Sequence, residues 1–556
     1  VAVATNPRAE RVALRPPWDA RRVRFLALAL LGAVGGVFAF ADAGVSPAAL
    51  VDGVSSMNRL IGLMLPPRWI DAGLVVEVAV ETFAMAFLGT VLAVLLSFPL
   101  GFLAARNTTP HPAVRVMARG VITVTRAVPD LVLGALFVRV YGIGVLPGVL
   151  ALGLHAIGMV GKLFADAIEQ VEPGPIDAVR ATGARRLQVL ATSVLSQVMP
   201  SFVATALYRL EINFRTSAIL GYVGAGGLGV LLQQYKTFRD YDLMLGVALV
   251  VGVIAISLEL GGSYVRRRLL GVEIQSRGRL RALRIKPELV KVERDREELR
   301  EPWTSERRAM HGLAVAVVGL TVFSWFSQNL SMHELLGGVG DVRSVFARLV
   351  PTDLAFLNAD TLAAMLESVS IALAATIMGG SAAFVLSFLA AQNTTPSRFV
   401  HRGIRAFTVA MRAVPELIVA LLFVVAVGLG PFAGTLALAT GTFAFALRLL
   451  SDSLEEIDED TRDGVRSTGA SWSQELAASA FPQALPAYVG HLLYLFDINI
   501  RASAILGIVG GGGIGWYLFG ALRDLELGYA GGVLAMVFTV VFVIEQFSGW
   551  LRKQLI

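Results

Sequence analysis

The chain has 556 residues, 55% hydrophobic and 16% charged, with a formal net charge of +6 and no cysteine. Soluble domains average about 25% charged residues, so composition excludes a soluble enzyme, and no disulfide or thiolate site can form. The positive balance sits beside apolar blocks, as membrane topology requires, so no nucleic acid partner is expected.

In chain order, residues 1–24 come first, with six Arg against two acids. They read as a cytoplasmic N-terminal segment. Their charged region is long and no small-residue cleavage site follows the apolar core cleanly, so a cleavable signal is not expected. Apolar blocks follow near 25–41, 75–103, 120–142, 145–168, 197–222 and 242–264. Residues 266–310 open on Arg266-Arg267-Arg268 and are rich in both charge signs, which reads as a charged cytoplasmic linker with a helix around 288–300. A second set of blocks lies near 311–328, 363–390, 405–429, 431–450, 482–508 and 528–550. About 20 apolar residues cross a bilayer as a helix, and the period-two alternation of a membrane barrel is absent. The expectation is an all-α polytopic protein of the lipid bilayer with about twelve transmembrane helices. Loops 104–119 and 391–405 each carry three Arg and no acid, whereas 42–73 has two Arg and three Asp. Both termini and the linker are therefore expected in the cytoplasm.

The halves repeat. Asn213 opens NFRTSAILGYVGAGGLG and Asn499 opens NIRASAILGIVGGGGIG, identical at twelve of seventeen positions and offset by 499 − 213 = 286 residues. The same offset aligns Asn107-Thr108-Thr109-Pro110 with Asn393-Thr394-Thr395-Pro396, and Arg126-Ala127-Val128-Pro129 with Arg412-Ala413-Val414-Pro415. Six spans per repeat is an even number, so both repeats, 25–265 and 311–556, enter from the same side. Parallel repeats are related by a pseudo-two-fold axis along the membrane normal, and a pathway along that axis is expected.

Each quoted stretch contains a G-x-G-x-x-G. A dinucleotide turn needs a preceding strand and a βαβ unit, and here an apolar helix precedes it. A phosphate-binding loop at Gly161-Lys162 fails too, because Leu163 stands where Ser or Thr belongs and Ala156 where the first Gly belongs. No ATP site is expected on this chain. Instead Gly221, Gly224 and Gly226, with Gly507, Gly510 and Gly512, are expected to break a helix near the membrane face, as an outer gate or hinge or as a plain tight turn.

Charge inside an apolar span is costly, about 2.5–3.5 kcal/mol at the bilayer centre on insertion scales. Asn213 with Arg215 and Asn499 with Arg501 sit in such spans, and Glu211 and Asp497 lie one helical turn before each Arg. Two readings stand: an internal i,i+4 ion pair, or cations facing the pathway. Arg126, Lys162, Arg412 and Arg448 are further candidates, and together they would favour an oxyanion. His155 has no mate, since Gly441 occupies its place, and reads as packing.

Between the fourth and fifth spans, DAVRATGARRLQVLATSVLSQVMP (177–200) matches DGVRSTGASWSQELAASAFPQALP (463–486). Asp177, Gly183 and Pro200 recur as Asp463, Gly469 and Pro486. Two short helical pieces about a Gly are expected on the cytoplasmic face, able to dock a partner. These loops resemble the E-A-A-x-x-x-G coupling motif of ABC importer permeases, with Asp for Glu and Val179 or Val465 for the second Ala. With RAVPDLVLGALF, RAVPELIVALLF, GKLFADAIEQV and the NxRxSAILGxVGxGGxG stretches, the chain resembles two phosphonate-family permeases fused in tandem, across roughly 75–265 and 361–550. The resemblance implies a type I importer fold in the inner membrane and no covalent chemistry on this chain. It also implies two cytoplasmic ATP-binding subunits carrying ATP and Mg, and an extracytoplasmic substrate-binding protein. Asp177, Thr182, Gly183 and Ala184, with Asp463, Thr468, Gly469 and Ala470, would form the two coupling loops. Phosphate, phosphite or an amino acid are alternative cargoes, and an ion-coupled transporter using Glu211 and Asp497 is the rival class. A membrane enzyme is disfavoured, because no nucleophile–base spacing or His/carboxylate cluster emerges.

Overall fold

The computed structural model describes residues 20–269, 305–414 and 416–555. Most of the N-terminal segment and residues 270–304 of the linker, including the helix expected around 288–300, lie outside the described residues. The first half contains α1 (Ala20–Asp42), α2 (Pro47–Met64), α3 (Ala72–Ala104), α4 (Pro112–Ala127), α5 (Asp130–Tyr141), α6 (Val145–Glu169), α7 (Pro173–Ala181), α8 (Arg186–Val189), α9 (Leu195–Leu220), α10 (Leu228–Phe238) and α11 (Tyr241–Leu269). The second contains α12 (Ser305–Ser327), α13 (Met332–Gly337), α14 (Val339–Arg348), α15 (Ala359–Ala390), α16 (Arg398–Ala413), α17 (Glu416–Val427), α18 (Pro431–Glu455), α19 (Glu459–Ser467), α20 (Trp472–Glu475), α21 (Phe481–Leu506), α22 (Ile514–Arg523) and α23 (Leu527–Leu555). From α4 to α11, each helix start plus 286 gives the start of α16 to α23 in turn, for example 112 + 286 = 398. No strand occurs among the described residues.

Nine described helices are long and apolar enough to cross a membrane, or ten if α4 and α5 form one broken span, where about twelve were expected. The main difference is the third span of each half. The expected continuous helix 120–142 is divided into α4 and α5, bent by 85°. Proline crowds the residue before it out of the helical region, and Val128 accordingly has φ −85° and ψ 119°. Pro129 also lacks the N–H that a continuous helix would use. The second half is divided at the same place, with α16 ending at Ala413 and α17 starting at Glu416.

In each half the long first core helix lies along the fourth span, α3 on α6 and α15 on α18. Small residues set this approach: a Cβ at Gly89 would stand 2.8 Å from the Leu152 Cβ. Polar bonds fix the register of the next helix. Asn213 donates to Thr90 Oγ1 at 2.9 Å, and Asn499 donates to Thr376 Oγ1 at 2.8 Å. Interhelical bonds of this kind contribute about 0.6 kcal/mol on average.

The outer helices are exchanged between halves. α1 packs on α15 and α2 on α17, while α12 packs on α3 and α14 on α5. Gly36 of α1 is where a Cβ would meet Ile377 of α15 at 2.8 Å. On the other side the Phe346 and Phe137 rings meet at a tilt of 47° with centroids 6.2 Å apart, and the Tyr141 hydroxyl donates to the Leu335 carbonyl at 3.1 Å.

Candidate functional site

The glycine-rich stretches make the reversal after α9 and after α21. Gly224, Gly226 and Gly227 have φ of 97°, 88° and 71°, and Gly510, Gly512 and Gly513 have φ of 90°, 78° and 74°. A left-handed run of this kind suits only glycine. A Cβ at Gly221 would stand 2.5 Å from the Gly226 carbonyl, so the turn closes on itself. It is anchored to its own half: Leu228 N donates to Thr82 Oγ1 and Ile514 N donates to Ser368 Oγ, both at 2.8 Å. The turn lies at the far end of α9 from the hairpins, about 39 Å away at 1.5 Å per residue.

The intramembrane cations meet acids, several of them across the boundary between halves. Arg215 bonds Glu211 on its own helix and donates to the Arg412 carbonyl at 2.7 Å. Arg412 reaches Glu259 of α11 at 3.1 Å and Glu211 at 3.5 Å. Arg448 stands 4.0 Å from Glu259 and 3.9 Å from Asp452. Across the axis, Arg501 pairs with Asp497, and Arg126 of α4 reaches Glu545 of α23 at 3.6 Å. The pairs Glu259–Arg412 and Glu545–Arg126 are mates under the offset of 286, so each half's last helix holds the other half's broken span. Lys162 is exposed and forms no ion pair among the described residues. Asn213 and Asn499 are spent on the bonds inside their own halves.

The two mates are not equal. A cavity of about 1220 Å³ lies against α11, α16, α18 and α21, lined by Glu259, Arg405, Arg412, Arg448, Asp452 and His491 among others. A separate space of about 10 Å³ lies beside Arg126, Arg501 and Glu545.

At the break in the first half, the His155 Nδ1 lies 3.0 Å from the Val128 carbonyl, which the end of α4 leaves without a helical donor. That contact puts the proton on Nδ1. Arg209 of α9 is 4% exposed, and its closest polar contact is Nη1 to the Met159 sulfur at 3.7 Å. Arg209, Glu259 and Glu545 were not singled out from sequence. The two Glu were visible as acids inside the last span of each half. Arg209 escaped because Leu495 stands at its repeat position.

The matched segments 177–200 and 463–486 build the expected hairpins. α7 and α8 flank Gly183 at φ 77°, and α19 and α20 flank Gly469 at φ 81°. Thr182 and Thr468 cap their own turns, each hydroxyl donating to the carbonyl of Val179 or Val465 at 2.7 Å. Asp177 and Asp463 are exposed beside Arg180 and Arg466, while Ala184 and Ala470 are half-buried. Both hairpins clamp the preceding loop: Arg186 donates to the Thr108 carbonyl, and Trp472 donates to the Thr394 carbonyl at 2.9 Å. π-helical turns, Leu190–Val194 and Leu476–Ala480, then carry α8 into α9 and α20 into α21 without a break, so each hairpin is continuous with a long helix. Their interiors differ. Buried Ile176 and Val189 hold the first hairpin, whereas Arg462 and Glu475 form a buried ion pair at the same positions in the second.

Among known proteins, residues 97–271 and 383–552 both match the model of the binding-protein-dependent transport system inner membrane component family. The two matches begin 286 residues apart, since 383 − 97 = 286. The phosphate-import permease protein PhnE of Mycolicibacterium smegmatis is 44% identical over 510 residues, covering 92% of this chain and 91% of that protein. The phosphite transport system permease protein PtxC of Stutzerimonas stutzeri is 45% identical over 202 residues, 36% of this chain and 74% of that protein. The putative phosphite transport system permease protein HtxC of the same organism is 38% identical over 199 residues, 36% of this chain and 71% of that protein. With its paired hairpins, its duplicated helices and both family matches, the chain belongs to the binding-protein-dependent transport system inner membrane components and carries the family's unit twice.

Proposed function

We propose that the chain is the translocation subunit of an ATP-driven importer for phosphonates or related small phosphorus oxyanions, working in the cytoplasmic membrane with both termini inside. The observation that carries this reading is near full-length similarity, 44% identical over 91% of a protein named for phosphate import. In this reading the two hairpins each receive a cytoplasmic ATP-binding subunit, which supplies ATP and Mg. An extracytoplasmic binding protein delivers substrate to the glycine-rich turns on the opposite face.

The ion pairs between halves give the route its chemistry. Arg126, Arg412 and Arg448 reach acids of the other half, and parting of the halves would free guanidinium groups whose planar fork suits a phosphorus oxyanion, while Arg215 and Arg501 keep acids on their own helices. Asn213 and Asn499 support the route rather than line it. Purification should recover two ATP-hydrolysing chains with this one. Proteoliposomes holding the complex should then take up phosphate, phosphite or a phosphonate only with ATP and the binding protein. Uptake driven by an ion gradient alone would refute the proposal.

A further inference from the structure

We propose that Arg209, beside the broken span α4–α5, forms a single anion-coordinating station within the membrane, on the first half only, for a small phosphorus oxyanion in transit. The ligand class rests on the import reading above. The site rests on Arg209 itself. Its Nε and Nη2 are buried and have no hydrogen-bond partner, and its Nη1 has only a thioether sulfur at 3.7 Å. Removing a guanidinium from water without a bonded counter-ion costs several kcal/mol. Elsewhere on this helix the charge problem is solved locally, since Glu211 and Arg215 neutralise each other.

The repeat supplies a control within the molecule. The same position on α21 is Leu495, 2% exposed, in the same fold. The scaffold therefore does not need a cation there, and an apolar side chain fills the space. A second departure from symmetry falls at the same place. His155 has Gly441 as its mate, and above Gly441 the Glu416 carboxylate occupies the space, 2.9 Å from where a Cβ would stand. The first half thus carries Arg209 and His155 beside its acid Asp130, and the second carries Leu495 and no imidazole beside the matching acid, Glu416. Only the first break therefore has a buried guanidinium without a bonded partner.

Asp130, at the start of α5, lies within electrostatic reach of both Arg209 and His155. It moderates the positive field. A transit site must bind well enough to accept an ion and weakly enough to release it. Nε and Nη2 of Arg209 are sealed from solvent in this conformation, so an anion gains access to them when the halves move apart.

The test uses the complete transporter, with its ATP-hydrolysing subunits and binding protein, in proteoliposomes, and reads labelled phosphate taken up per ATP hydrolysed. Arg209→Leu, the residue of the other half, should lower that ratio about ten-fold or more, the loss of one charge-assisted hydrogen bond to an anion. Arg209→Lys should recover part of it. A wild-type ratio in Arg209→Leu would overturn the station while leaving the import reading intact. Failure of the wild-type transporter to move phosphate, phosphite or a phosphonate would instead refute the import reading and, with it, the ligand assigned to the station. Should Arg209→Leu not assemble, the wild-type complex is labelled with phenylglyoxal during turnover. Labelling of Arg209 that phosphate suppresses supports the station, and no labelling, or labelling indifferent to phosphate, overturns it.

Discussion

Replacing Arg412 with Gln removes the one cation shared by Glu259 at 3.1 Å and Glu211 at 3.5 Å. The side chains of Arg412 and Glu211 are 5% and 4% exposed, so water cannot take over. Breaking a buried pair from one side costs about 3–5 kcal/mol. Two neighbours soften the loss. Arg215 keeps its bond to Glu211, and Arg448 stands 4.0 Å from Glu259. The lower end, about 3 kcal/mol, is therefore expected. Glu259→Gln leaves Arg412 its contact with Glu211 and should cost about 1–2 kcal/mol. The double variant should cost less than the sum, with an interaction energy of about 1–3 kcal/mol. Across the axis, Arg126 and Glu545 are 3.6 Å apart with side chains 24% and 34% exposed. Arg126→Gln should therefore cost under about 1 kcal/mol. Denaturant titration of the purified chain in detergent, carried out as a double-mutant cycle, reads these differences. Strict additivity of the Arg412 and Glu259 changes, or an Arg126→Gln variant as destabilised as Arg412→Gln, would refute the argument that this boundary is held by one buried and one open ion pair.

Proline locks φ near −65°, whereas Gly183 and Gly469 sit at 77° and 81°. Gly183→Pro or Gly469→Pro should therefore abolish uptake while substrate capture by the binding protein continues, and normal uptake by both variants would end the coupling role of the hairpins. In the second hairpin, Glu475→Val strands the buried Arg462 and should cost about 3–5 kcal/mol. Adding Arg462→Ile copies the Ile176–Val189 interior and should restore most of that stability, so a double variant no better than the single one would refute the equivalence of the two interiors. Arg215→Gln and Arg501→Gln should lower anion uptake per assembled complex, and unchanged uptake with normal assembly would reduce both Arg residues to helix-internal ion pairs.

The duplication was legible because identical stretches recur at a constant offset, and every helix start from α4 to α11 then repeats at that offset. The hairpins were legible for the same reason, with a glycine held between an acid and a proline at fixed spacing. The broken third span was hidden by averaging: hydropathy across 120–142 is continuous, and one proline decides the backbone. Pairing between Arg412 and Glu259 was out of reach, because the partners are 153 residues apart and meet only when the halves pack. Arg209 was overlooked for a subtler reason. Comparison of the repeats rewards residues that recur, and Arg209, with Leu495 at its repeat position, does not.

The seating of α1 and α2 on α15 and α17 has a bearing on how the molecule is made. Synthesis runs from the N-terminus, so these two helices are made long before their resting places at Ala359–Ala390 and Glu416–Val427 have been translated. Until the later segments arrive, the faces that will seat there stay uncovered, although α2 also packs on α11 of its own half. The earlier half, for its part, keeps the faces of α3 and α5 bare until α12 and α14 cover them. Neither half can mature ahead of its twin. Tethering both on one polypeptide turns a search through the membrane for a separate subunit into a local rendezvous at high effective concentration.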